Sequence, residues 1–322
     1  EYSYLEQGDT VSDAYKEIFK RLKNQTASAK DIKGSILILM KMMQAYYGKT
    51  VILLLDEYDV PVAKASNNGY YQEMLEIMKA MMSTSLKDNS SLCFAVVTGC
   101  LKIAKESIFS GLNNLKVCSV MTRMYADVMG FTPYEIKKMA QDLAMEGALS
   151  DIQAWYDGYH FGDYDIYCPW DVMNYLFELQ HNPKTKPVSY WKNTSDNAII
   201  RSFIDFAGNS ITDKMETLLS GGYILQDIDE NLTYDYLHSS ESNLWSILYM
   251  TGYLTEARIS EGKTAFSPDT KALKIPNAEI REIFETTVMK WFSDSAKTWS
   301  RQILFDAVWK NDCELLTQEM NK

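Results

Sequence analysis

Two hydrophobic periods alternate along the first hundred residues. From Val11 to Lys23 apolar side chains recur at helical spacing, with Val11, Ala14, Tyr15, Ile18, Phe19 and Leu22 on one face. The same spacing runs from about Lys30 to Tyr47 through Ile36, Leu39, Met40, Met43 and Tyr46. It returns from Gly69 to Leu86 through Met74, Leu75, Ile77, Met78, Met81 and Met82. Between these helices the pattern collapses into unbroken apolar runs. Val51–Leu55 is wholly aliphatic, and Leu92–Val97 is a second run that ends in Thr98 and Gly99. Runs without alternation predict strands buried on both faces. The helix–strand–helix–strand order predicts right-handed crossovers and a parallel sheet. Lys116–Val120 is a candidate third strand. The fold class expected from this stretch is α/β.

A boundary follows near residue 130. Thr132, Pro133 and Glu135 form a capping-box signature, with Pro at the first helical position. Helical periodicity then continues to about Leu179, broken by the aromatic, Gly-rich stretch Trp155–Gly162. The Trp155–Tyr159 cluster reads as an interdomain packing wedge in preference to a base-stacking platform. Asn182–Pro187 is a turn-rich connector. Helices are expected near Asp196–Ala207, Ile211–Leu219, Ser242–Tyr249, Asn277–Phe292 and Ser300–Met320, with short strands near Tyr253–Ile259 and Ala272–Ile275. The expected organisation is a parallel-sheet core over 1–130, a helical, lid-like segment over 131–189, and a compact α+β, winged-helix-like module with C-terminal helices over 190–322.

Composition narrows the function. The net charge of −11 disfavours phosphate-backbone binding by the surface as a whole. The five cysteines are scattered without a Cys-x-x-Cys pair, and the three histidines lack metal spacing. They argue against a zinc site or a disulfide frame and fit reduced, mostly buried thiols. No apolar run approaches a membrane span and no basic-then-apolar leader opens the chain, so a cytoplasmic protein is expected. The first residue is Glu1, which reads as an internal fragment of a longer protein.

The candidate chemistry sits where the first strand ends. Val51–Leu55 delivers Asp56 and Glu57 to its carboxyl end, the end of an open α/β sheet where ligands bind. Adjacent carboxylates there suit metal-assisted phosphoryl transfer, Asp56 holding Mg²⁺ and Glu57 polarising an attacking water. A solvated acidic turn is the alternative, and the strand end alone does not choose. The phosphate-cradling motif is absent from residues 1–322. Gly48-Lys49-Thr50 has the right ending, but Met43 stands where the motif needs Gly, and the triplet joins a helix to a strand, the reverse of the required order.

The chain resembles the bacterial AAA-ATPase-like family, predicted P-loop ATPases that often carry a C-terminal PD-(D/E)xK-type nuclease domain. The resemblance rests on Tyr47-Gly48-Lys49, Val51–Asp59 with Pro61, Thr98-Gly99, Ala104–Leu115 and Gly130-Phe131-Thr132. It continues through Trp155–Tyr159, Pro169-Trp170, Tyr190–Ser195, Thr251–Leu254 and Ile275-Pro276-Asn277. It implies an additional-strand (ASCE-type) P-loop core in which Asp56 binds Mg²⁺, Glu57 activates water and Thr98 is the polar sensor near the γ-phosphate. Arg123 and Lys102 would neutralise transition-state charge. Lys102 departs from the Arg expected there and lacks its bidentate fork; Cys168 replaces an expected Asn. The resemblance places the phosphate loop before residue 1 and the nuclease after residue 322. ATP and Mg²⁺ are thus expected in the full-length protein, DNA through the nuclease, and neither tightly bound nucleotide nor turnover by residues 1–322. A non-catalytic interaction or regulatory scaffold that keeps the fold is the alternative.

Overall fold

The computed structural model describes residues 2–100, 108–109, 112, 114–191, 209–230, 232, 240–258, 270–287 and 317. The chain divides into two compact units, each assembled from separated segments. The first comprises Glu1–Ala126, Phe161–Asp163 and Leu225–Leu273; the second comprises Asp127–His160, Tyr164–Ile224 and Lys274–Lys322.

In the first unit a 3-10 helix at Tyr2–Gln7 leads into α1 (Asp13–Lys23), α2 (Ala29–Lys33) and α3 (Ser35–Tyr47). The single helix expected from Lys30 to Tyr47 is therefore two. Ser28 and Asp31 close a capping box that starts α2, and Gly34 ends it while serving as the N-cap of α3. Arg21 grips Asp31 with two hydrogen bonds, of 3.0 and 2.9 Å, which ties α2 to α1. Leu5, Val11 and Met42 are buried together, with Tyr15, Phe19, Ile38 and Leu39 packed around them. Gly48 terminates α3 in the left-handed conformation (φ 65°) and leads straight into β1 (Val51–Leu55). The tempting Gly-Lys-Thr is thus a helix stop.

After β1 come α4 (Val60–Asn68), which the periodicity did not announce, α5 (Tyr71–Leu86) and β2 (Leu92–Val97). β1 and β2 pair in parallel, with Leu53 opposite Ala95 and Leu55 opposite Val97, as expected. α3 packs against β1 and α5 against β2. The expectation of burial on both faces is corrected. Ile52, Leu54, Phe94 and Val96 share the second face and are 60%, 73%, 61% and 42% exposed. Among the described residues nothing covers that face. Lys116–Val120 is not a strand either; Thr122 and Ser119 close a turn there through backbone and hydroxyl hydrogen bonds.

The first unit also holds a three-stranded sheet in the order β5 (Ile224–Asp227), β7 (Thr270–Lys274), β6 (Thr255–Glu256). β5 was not anticipated, and the Tyr253–Ile259 strand is only the two residues of β6 among the described residues. In the second unit α6 (Pro133–Asp142) begins at the expected capping box, and α7 (Leu149–Tyr156) follows a 3-10 turn at Glu146–Ala148. The two-stranded sheet of β3 (Tyr159–Phe161) and β4 (Tyr164–Ile166) occupies the aromatic, Gly-rich break. α8 (Pro169–His181) and α9 (Asn209–Leu219) come next; α10 (Glu241–Met250) belongs to the first unit and the helical residues 278–287 (α11) to the second. Ile136, Ile152, Tyr156, Val172, Tyr175 and Leu176 form the core joining α6, α7 and α8. The helices expected at Asp196–Ala207 and Ser300–Met320 lie outside the described residues, apart from Thr317 in the latter. No helix among the described residues is long and apolar enough to cross a membrane.

Candidate active site at the carboxyl end of the parallel strands

The parallel pairing brings Asp56 and Thr98 to the same sheet end. The ladder continues one step beyond the strands, with Thr98 N–H donating to the Leu55 carbonyl at 2.9 Å and Tyr58 N–H to the Thr98 carbonyl at 3.0 Å. This register sets the Thr98 hydroxyl against Asp56 Oδ1, to which it donates a short hydrogen bond. The Glu57 N–H donates to the same oxygen at 3.0 Å. Both bonds end on Oδ1, so Oδ2 of this exposed carboxylate carries neither.

The four residues Asp56–Asp59 divide into two exposed and two buried. Glu57 adopts a left-handed backbone (φ 52°), which is uncommon for a residue with a side chain. The kink leaves Glu57 exposed and turns Tyr58 and Asp59 inward, to 6% and 2% exposure. Asp59 precedes α4, which carries Pro61 in its first turn, yet its side chain does not cap that helix. Its Oδ2 instead accepts the Cys100 N–H at 3.1 Å. Desolvation, and then the carboxylates of Asp59, Glu57 and Asp56, push the Cys100 thiol up, although the residue is exposed at the surface.

The donor set fits a hard cation. A solvent-facing carboxylate with a free oxygen, a neighbouring carboxylate and a hydroxyl are oxygen ligands of the kind Mg²⁺ takes, usually beside water and phosphate. No group of three or more His, Cys, Asp or Glu that could hold a metal is present among the described residues. Arg123 is exposed and pairs with Asp163 at 3.4 Å, and neither hydrogen bond to Asp56 Oδ1 involves it. Lys102 lies outside the described residues, as do Asn113 and Asn193–Ser195.

Asp59 was missed as part of the site. Its signal was present in Asp-x-Pro ahead of α4, but that pattern announces a cap, and the acceptor was used elsewhere.

The other motif residues converge in the second unit. Tyr156 is fully buried beside Tyr175 and Tyr190, and its hydroxyl donates to the Val188 carbonyl at 3.0 Å. The Cys168 N–H donates to the Tyr156 carbonyl at 3.3 Å. Asn277 donates to the Asp157 carbonyl at 2.9 Å and accepts the Ile280 N–H at 3.0 Å. Gly158 (φ 104°) lies so close to Pro276 that a Cβ would meet its carbonyl oxygen at 2.1 Å. Asp171 and Glu279, each 1% exposed, are hydrogen-bonded to one another, and Glu279 accepts the Trp191 N–H at 2.9 Å. Burial, and then the Asp171 charge, push Glu279 up to about 8, while Cys168 and Glu279 donate to the Asp171 carboxyl. Glu279 therefore holds the proton shared by the pair. The Tyr156 packing lies inside the second unit, where it joins residues of the expected 131–189 segment to Tyr190.

Comparison with known proteins finds similarity over the part of the chain that holds the parallel pair. The family model described as predicted AAA-ATPase matches residues 4–109, which contain β1, β2, Asp56, Glu57 and Thr98. A protein of Azotobacter chroococcum mcd 1, described as an uncharacterized protein in the vnfD 5′ region, is 23% identical over 278 residues, covering 85% of this chain. The chain spans about half of that relative, the match covering 50% of its length. No solved structure matches. Residues 4–109, with the parallel pair and its acidic strand end, are thus similar to the family described as predicted AAA-ATPase.

Proposed function

We propose that the chain is the ATP-binding and ATP-hydrolysing module of a multidomain bacterial protein, built on an ASCE-type core. The carrying observation is the Thr98 hydroxyl on Asp56 Oδ1 at the carboxyl end of a parallel pair, with Glu57 beside it. Asp56 is the residue to hold Mg²⁺ through its other oxygen. The ion, when bound, neutralises charge on the transferring phosphate. Thr98 and the Glu57 N–H fix the Asp56 carboxylate from one side, so its orientation is set before ligand arrives. Glu57, held outward by its left-handed backbone, accepts the proton of the attacking water. Arg123 and Lys102 supply positive charge to the phosphates in this reading.

The reading requires a phosphate-binding loop that residues 1–322 do not contain. The Azotobacter relative, of which the chain spans half, is long enough to carry more domains. We extend the proposal to a PD-(D/E)xK-type nuclease in the same protein, acting on DNA in the cytoplasm, and to a winged-helix-like role for the β5–β7–β6 sheet with α10. Residues 1–322 alone are then inactive, since backbone donors and a Lys for the β- and γ-phosphates are missing.

One observation favours a non-catalytic scaffold instead: the apolar face of Ile52, Leu54, Phe94 and Val96, uncovered among the described residues, which suits a protein contact. The deciding experiment uses the full natural chain. Glu57→Gln keeps nucleotide affinity and lowers single-turnover hydrolysis about 10²–10⁴-fold, whereas Asp56→Asn weakens Mg²⁺-dependent binding. Hydrolysis at the parental rate by Glu57→Gln removes Glu57 from the mechanism, and saturable ATP binding by residues 1–322 in calorimetry contradicts the need for an added loop.

A further inference from the structure

We propose that Asp59 is a positioning residue, locking the loop after β2 onto the loop after β1 so that the Thr98 hydroxyl stays on Asp56. Its kinetic consequence rests on the phosphoryl-transfer reading above; its structural consequence rests on geometry alone. Asp59 is 2% exposed and faces inward, in contrast to the exposed Asp56 and Glu57 three and two positions earlier. It stands at the N-cap of α4 without capping it, so a side chain suited to satisfying helix N–H groups is spent on the Cys100 N–H of a different loop.

Gly99 shows how tightly the two loops are joined. A Cβ there would stand 2.6 Å from Asp59 Oδ1 and 2.6 Å from the Tyr58 ring. The Tyr58 ring is itself held edge-on against Phe109, with centroids 5.1 Å apart. Neither neighbour yields cheaply, so glycine is required by close approach. Thr98 is therefore gripped twice. Its N–H and carbonyl are in the extended ladder with Leu55 and Tyr58, and the residues that follow it are pinned by Asp59 and Tyr58. The ladder bonds restrain the backbone of Thr98 on the side toward the strand. The Asp59 bond restrains the far side, where the chain leaves the sheet and could otherwise swing the hydroxyl away from Asp56.

The test combines amide hydrogen exchange with kinetics in the full natural chain, for Asp59→Ala, Asp59→Asn and Gly99→Ala. Asp59→Ala and Gly99→Ala are expected to raise exchange at the Thr98 and Cys100 amides while Leu53 and Ala95 stay protected. Asp59→Asn, which keeps an oxygen acceptor, rescues most of that protection. Per folded molecule, Asp59→Ala lowers kcat about ten- to a hundredfold with KM nearly unchanged. Adding Thr98→Ala to Asp59→Ala then costs nothing further, because both act through one hydroxyl. An exchange increase spread evenly over β1 and β2 would make Asp59 an ordinary core residue and overturn the proposal, as would no increase at all. If Asp59→Ala does not fold, the same exchange criterion applied to Gly99→Ala decides. If the parent hydrolyses no nucleotide, the functional reading fails while the exchange arm still judges the latch.

Discussion

Replacing Glu279 by Gln is expected to stabilise the protein at neutral and alkaline pH. Glu279 is 1% exposed and shares a proton with Asp171, and its carboxyl is pushed from 4.5 up to about 8. This is the reverse of the usual paired carboxylate. Between those two values the folded chain holds a proton that the unfolded chain has released. The contribution of this group to stability is therefore greatest below about pH 4.5 and falls by about 1.4 kcal/mol for each pH unit until the folded group ionises near pH 8. At pH 7 this places the cost at roughly 3 kcal/mol, an upper figure because the pair is free to relax. The amide of Gln is neutral throughout. Its oxygen can accept the Trp191 N–H that Glu279 now accepts at 2.9 Å, and its NH₂ can donate to Asp171.

Urea unfolding of parent and variant, followed by far-ultraviolet circular dichroism from pH 5 to pH 8.5, measures the difference. Subtracting the two curves cancels the titrating groups that do not touch Glu279, so the difference reports the Glu279–Asp171 pair. The variant should match the parent within about 1 kcal/mol near pH 5 and exceed it near pH 8 by up to about 4 kcal/mol, again an upper figure. Glu279→Ala should lose stability at every pH, because it leaves the Trp191 N–H and the Asp171 carboxyl without a partner. A difference curve that is flat from pH 5 to pH 8.5 would refute the shared-proton argument.

Gly158→Ala should destabilise the second unit severely, since its Cβ would meet the Pro276 carbonyl oxygen at 2.1 Å in a backbone with φ 104°; a shift of several degrees in melting temperature measures this. Thr132→Ala removes one half of the capping box that starts α6, the bond from the Glu135 N–H to the Thr132 hydroxyl at 3.4 Å, and leaves the Thr132 N–H donating to Glu135. It should cost about 1 kcal/mol in chemical denaturation, with Thr132→Ser retaining most of it.

The local elements were legible in the chain because their causes are local. Apolar spacing places α1 and α5, the aliphatic runs place β1 and β2, and Thr132-Pro133-x-Glu135 places the start of α6. The chemical character of Asp56-Glu57 at a strand's carboxyl end was equally visible, because strand direction follows from sequence order once the pairing is parallel. The break in the Lys30–Tyr47 helix had a local signal too, in Ser28, Asp31 and Gly34, but the apolar period ran through it.

What depends on distant partners was decided only by the tertiary structure. Lys116–Val120 has strand-like residues, yet a strand exists only where another offers hydrogen bonds, and the chain turns there instead. Unbroken apolar runs suggested two covered sheet faces, but whether a face is covered depends on which helices pack there, and Ile52 and Leu54 stay exposed. Likewise the acidic residues Asp56, Glu57 and Asp59 look alike in character in the sequence, and only the left-handed turn at Glu57 and the approach of the Thr98–Cys100 loop send Asp59 inward. Tyr156, Cys168, Asp171, Trp191, Asn277 and Glu279 are spread across more than a hundred positions. Their meeting in one buried network is a property of chain topology, because hydrogen-bond satisfaction and desolvation are settled by whatever the fold brings alongside each group and not by its neighbours in sequence.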